Sequence, residues 1–105
     1  MPLYAIDMSE KARQIGGARV DGFYASWPFA RFEATKNKII LRVFSKKYEI
    51  EKEKINTLKK HRGLFSIGLK IEHNKDKMPK SLIFWTFRFK KLKQSLEEIG
   101  YKVDA

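Results

Sequence analysis

The sequence predicts a mainly β (α+β) fold, a meander of about seven short strands closed by one C-terminal amphipathic helix. Three observations carry this. Residues 38–44 (KIILRVF), 47–51 (KYEIE), 65–72 (FSIGLKIE) and 81–87 (SLIFWTF) have the composition and alternation of strands. Residues 88–99 (RFKKLKQSLEEI) then change to helical spacing and stop at Gly100. Short polar, Gly or Pro segments separate these runs, as turns between short strands require.

Taken in order, residues 1–16 are weakly patterned and read as an N-terminal extension, poorly ordered or a short helix capped by Ser9; the domain proper is expected at 17–105. Gly16-Gly17 would end the extension as a hinge, because a phosphate cradle needs a strand before it and a helix after it. Residues 18–25 (ARVDGFYA) read as a first strand with Gly22 as a bulge. Ser26, Trp27 and Pro28 read as a turn, since proline cannot donate to a ladder and pushes the preceding residue to extended geometry. Residues 29–35 (FARFEAT) form the second strand, and Lys36, Asn37 and Lys38 the turn into the third.

The third strand puts Ile39, Leu41 and Val43 on one face, with Ile40, Arg42 and Phe44 on the other. Ser45, Lys46 and Lys47 turn into the fourth, where Tyr48 and Ile50 point inward. Residues 55–62 (INTLKKHR) suit a short, irregular fifth strand. Phe65, Ile67, Leu69 and Ile71 share one face of the sixth, and 73–80 (HNKDKMPK) form a charged loop. The seventh strand is apolar on both faces and therefore needs cover on both. The helix is the expected cover: Phe89, Leu92, Leu96 and Ile99 form a single apolar stripe.

Composition bounds the function. The 105 residues fit one domain, with 43% apolar and 13% aromatic side chains to build a core. The absence of cysteine excludes disulfides, thiolate nucleophiles and the usual structural zinc sites. No secretory pattern opens the sequence, and the apolar run at 82–85 is far below the roughly 20 residues of a membrane span, so a cytoplasmic protein is expected. The net charge is +11 and unevenly placed: residues 1–35 sum to zero, 36–62 to +7, 70–93 to +6 and 94–105 to −2. Such a charge attracts polyanions and anionic membrane surfaces, and it equally suits a lysine-rich soluble surface.

The segments SWPFARFEAT, KIILRVFSKKYEI, EKINTL, GLFSIGLKIEHN and SLIFWTF, with the final helix, resemble the pleckstrin-homology-like superfold, in particular its small prokaryotic PH-like and GRAM-like domains. The resemblance covers about residues 18–103 and rests on pattern, without a signature motif. It implies a bent, partly open antiparallel barrel of about seven strands, capped at one end by the C-terminal amphipathic helix, with ligands taken at the other end by the loops joining strands one and two, three and four, and six and seven. Those loops map to Ser26, Trp27 and Pro28, to Ser45, Lys46 and Lys47, and to residues 74–80. Lys46, Lys47, Lys75, Lys77 and Lys80 would gather around a phosphate while Trp27 wedges into an interface, at roughly 1 kcal/mol per basic residue near an anionic leaflet. The basic run that lipid-binding members carry near the first two strands is reduced here to Arg19 and Arg31, beside Asp21 and Glu33.

No catalytic constellation is visible, and no cofactor or metal is expected. His61 and His73 are far apart with no carboxylate cluster nearby, Glu49, Glu51 and Glu53 alternate with lysines, and Ser26 and Ser45 lack an elbow motif. The expected function is a non-catalytic binding or scaffold module engaging a protein partner or an anionic membrane surface, peripheral at the membrane in the latter case. The alternative is a nucleic-acid-binding domain using Phe23, Tyr24, Trp27 and Trp85 among Lys and Arg. A third reading is self-association through an exposed strand edge. The spatial gathering of the cations separates them: a cluster at the loop end favours membranes, and a groove-like stripe favours nucleic acid.

Overall fold

The computed structural model describes residues 12–64 and 66–104. Seven strands make one antiparallel sheet: β1 (Ala12–Val20), β2 (Phe23–Ala34), β3 (Lys38–Val43), β4 (Lys46–Glu51), β5 (Ile55–Arg62), β6 (Ile67–His73) and β7 (Leu82–Thr86). Their order across the sheet is β4-β3-β2-β1-β7-β6-β5, and the sheet curls into a half-barrel. A 3-10 turn (Lys52–Lys54) links β4 to β5, and α1 (Phe89–Glu98) follows β7.

The third to seventh strands and the helix fall within about two residues of the ranges the alternation predicts. Phe65 and Ser9 lie outside the described residues. The first two strands are differently placed. The reversal expected at Ser26, Trp27 and Pro28 lies instead at Asp21-Gly22, where Val20 pairs with Phe23 and Asp21 takes φ 53°. Asp-Gly is a strong two-residue hairpin signal, because both residues tolerate left-handed geometry. The segment expected as one strand, 18–25, is thus the end of β1 and the start of β2. Residues 12–16, expected as part of an extension, are strand, and Gly16-Gly17 lies inside it. The pair is needed for close approach: a Cβ on Gly16 would lie 2.1 Å from the Trp85 carbonyl oxygen, and one on Gly17 2.7 Å from that of Ala25.

Inward residues of all seven strands form one core, with Phe32, Phe84, Leu41, Leu69 and Ile71 essentially inaccessible. The rings of Phe32 and Phe84 meet at 5.3 Å. The helix joins this core through the predicted stripe of Phe89, Leu92, Leu96 and Ile99. Gly100 at φ +105° ends it, with the Tyr101 N–H donating to the Leu96 carbonyl at 3.0 Å. The helix packs on β1 and β6 and does not cover the outer face of β7 as expected. That face is served differently: Ile83 and Trp85 pack over Gly68, Trp85 also over Gly63, and Phe87 is left exposed.

The β5 edge is closed by the C-terminal tail, where the Lys60 N–H donates to the Asp104 carbonyl and the Asp104 N–H to that of Leu58, each at 2.8 Å. The self-association reading loses that part of the edge. Buried Tyr101 donates its hydroxyl to the Thr35 carbonyl at 2.7 Å, and burial pushes its pKa up to about 12.

Three surface carboxylates titrate below the usual 4.5: Glu49 through its bond with Lys38, Glu51 through a backbone hydrogen bond and Lys75, and Glu72 through Thr57 and then Lys59. A carboxylate depressed in the fold stabilises above its unfolded pKa, and that stability is lost as pH falls through the folded value. The urea midpoint is therefore expected to fall as pH drops from about 5 to about 3. It should fall less in a Lys38→Gln variant, and equal slopes would refute the role given to that pair.

Candidate functional site

β2 is kinked at its middle. Ala25 pairs with Ala18 and Ala30 with Gly16, so Ser26, Trp27, Pro28 and Phe29 stand opposite Gly17 alone. Pro28, preceded by a cis peptide bond, lies where no ladder donor is required. The bulge turns apolar rings outward. Trp27 is 55% exposed and meets Phe87, itself 84% exposed, at 6.4 Å between ring centroids. Exposed Phe29 stacks on Phe44 at 5.3 Å, and Phe44 meets Phe23 edge-on at 5.9 Å. Together with Ile15 and Tyr24, these rings are most of the large apolar side chains the molecule exposes among its described residues.

Beside the rings runs a row of cations. The turn at Lys36-Asn37 sets Ala34 opposite Ile39 and hence Arg31 opposite Arg42, and Arg42 in turn pairs with Lys47. Like charges directly opposed on one sheet face cost stability. The adjoining row places Arg13 against Glu33 at 3.6 Å. Among the described residues no carboxylate lies within ion-pair distance of Arg31, Arg42 or Arg88.

Part of this set lines a groove of about 980 Å³, with Arg13, Arg31, Arg42 and Arg88 on its walls beside Glu33, Trp27 and Phe87. A smaller cavity of about 400 Å³ continues from it, sharing Trp27, Thr86 and Phe87 and adding Tyr24 and Trp85. The polar side chains between are committed to one another. Thr86 Oγ1 donates to Gln14 Oε1, Gln14 Nε2 donates to the Arg88 carbonyl at 3.0 Å, and the Arg88 N–H donates to Thr86 Oγ1 at 2.9 Å. This clamp fixes the Arg88 backbone at the rim and, with Arg13 paired to Glu33, leaves the guanidinium groups of Arg31, Arg42 and Arg88 as the groove's main unengaged donors among the described residues.

Of the residues singled out in the sequence, Trp27 lies in this groove, although in a bulge of β2 and not in a turn. Lys47 adjoins it across from Arg42, and Lys46 precedes Lys47 at the start of β4. Lys75 is drawn to β4, its Nζ donating to the Glu49 carbonyl at 2.6 Å and lying 3.2 Å from the Glu51 carboxylate. Lys77, at φ 58°, and Lys80 are exposed on the loop before β7. Among the described residues no lysine lines the groove. The arginines were legible only through register, and Phe87 only through the position of the helix.

The histidines have structural partners. His73 Nε2 donates to the Pro79 carbonyl at 2.7 Å while Nδ1 accepts the Lys75 N–H at 3.1 Å, pinning the β6–β7 loop, and His61 packs on Trp85. Among the described residues no three His, Cys, Asp or Glu side chains gather as a metal site, and no helix is long and apolar enough to cross a membrane. The chain matches no protein-family model and no curated protein.

Proposed function

We propose that this chain is a non-catalytic binding module of pleckstrin-homology-like fold that holds an anionic partner on the outer face of β1, β2 and β3, beside the β2 bulge. The strand order and the helix at the barrel end support the fold reading. One observation carries the functional reading. Four of the six arginines line one groove to which no described residue adds a lysine, in a chain whose positive charge is mostly lysine. A charge serving solubility alone has no reason to sort guanidinium from ammonium groups. Planar forks that engage phosphate or carboxylate in bidentate fashion give such a reason. The opposed Arg31 and Arg42 cost stability unless an anion lies between or above them.

The test is elution from immobilised heparin by salt. The double variant Arg31→Gln/Arg42→Gln is expected to elute at clearly lower salt than a charge-matched control, Lys90→Gln/Lys91→Gln, made on the exposed side of α1. The arginine variant should melt no lower than the parent, because it relieves an opposed pair of like charges. Equal elution shifts in the two variants would reduce the interaction to net charge and end this reading.

A further inference from the structure

Resting on that reading, we propose that the anionic partner is a single-stranded nucleic acid, with phosphates along the Arg31–Arg42 row and a base stacked at Trp27 and Phe87. Exposed aromatic rings and four arginines share one groove, with Glu33 set against Arg13 among them, and the groove continues into a cavity lined by Tyr24 and Trp85. Single-strand binders combine these same parts: a basic channel that tracks the backbone, and aromatic faces on which bases stack.

Other anions use only half of the site. A duplex keeps its bases stacked inside, so Trp27 and Phe87 would meet nothing flat. An acidic peptide satisfies the guanidinium groups but leaves the rings without a π partner. A membrane surface gives the exposed arginines headgroup phosphates but offers Trp27 and Phe87 no flat π partner to stack on. A nucleotide occupies both halves at once.

The polar atoms also bear on specificity. Gln14 and Thr86, the side chains in the groove that resemble base-edge readers, already bond to each other and to the Arg88 backbone. With those two committed and the arginines placed on phosphates, recognition falls to phosphate and ring faces, so binding is sequence-tolerant and strongly salt-dependent.

The experiment is fluorescence anisotropy with the full chain and a labelled oligothymidylate of about 15 nucleotides, against a duplex of equal length, over a series of salt concentrations. The single strand is expected to bind at least about tenfold more tightly than the duplex. Trp27→Ala should weaken it by about tenfold without altering the salt slope, and Trp27→Phe should restore most of the loss. Arg31→Gln/Arg42→Gln should reduce the slope of log K against log salt by about 1.4, the value for two lost single-strand phosphate contacts. Thermal melting of each variant keeps a folding defect from passing as a binding defect.

Equal or tighter duplex binding overturns the proposal, as does a Trp27→Ala variant that binds like the parent. Binding to phosphatidylserine vesicles with none to the oligonucleotide does so too, and moves the site to the membrane. If the arginine variant alone loses heparin retention while no oligonucleotide binds, the anionic groove stands and the nucleic-acid assignment falls. If heparin retention follows net charge in both variants, both fall together.

Discussion

Replacing Gly16 by alanine is expected to lower stability by about 3 kcal/mol or more, and with it the melting temperature by roughly 12–24 °C. The added Cβ would stand 2.1 Å from the Trp85 carbonyl oxygen and 2.8 Å from the Phe84 ring. A ring can turn aside, but a backbone carbonyl in a ladder cannot. Gly17 pairs with Trp85 beside it, so the strands would have to part where β1 meets both β2 and β7. The control is Gly22→Ala, where a Cβ meets nothing within 4 Å; its effect should stay within about 0.5 kcal/mol. Thermal and urea denaturation measure both. A Gly16→Ala variant as stable as the Gly22→Ala one would refute the close approach of the strands. Because the same crossing opens the groove, loss of anion binding is expected to accompany the loss of stability.

Phe84→Ala is expected to cost about 3–5 kcal/mol. Phe84 is fully buried, touches Phe32 at 5.3 Å and fills the space left above Gly16. Removing the ring takes away its transfer energy and leaves a cavity between two sheet regions that curvature prevents from collapsing. Phe84→Leu should recover much of the loss. Neither substitution should rescue Gly16→Ala, since the Trp85 carbonyl remains in place. A double variant in which truncation of Phe84 offsets Gly16→Ala would show that the ring, and not the backbone, sets the constraint.

Both predictions concern the part of the chain where local pattern and final structure diverge. From Lys38 onward, alternation and helical spacing lead almost directly to the observed elements, because each of those segments buries at least one regular face. The first strands do not obey that rule. Ser-Trp-Pro has the chemistry of a turn and lies within β2, while Asp-Gly, the true reversal, sits between residues that also read as one strand. Proline excludes a ladder bond without demanding a reversal, and only pairing with Gly16 and Ala18 shows that the chain bulges and continues. The helix illustrates the same limit. Its stripe was plain, but its partner was the barrel interior and not the outer face of β7, which glycines 63 and 68 allow Trp85 to cover.

The sequence by itself determined the class of fold, the helix and its apolar stripe, most of the core and the excess of positive charge, since each is written in local periodicity or composition. Which charges act together was decided by the tertiary structure. Arg13, Arg31, Arg42 and Arg88 lie up to 75 residues apart in the sequence and share one groove only through strand register, the β2 bulge and the clamp at Thr86. Lys75, read as a ligand-binding residue, is engaged by β4. Charge in a sequence is a sum, whereas a binding surface depends on distances between side chains, and pairing across strands sets those distances.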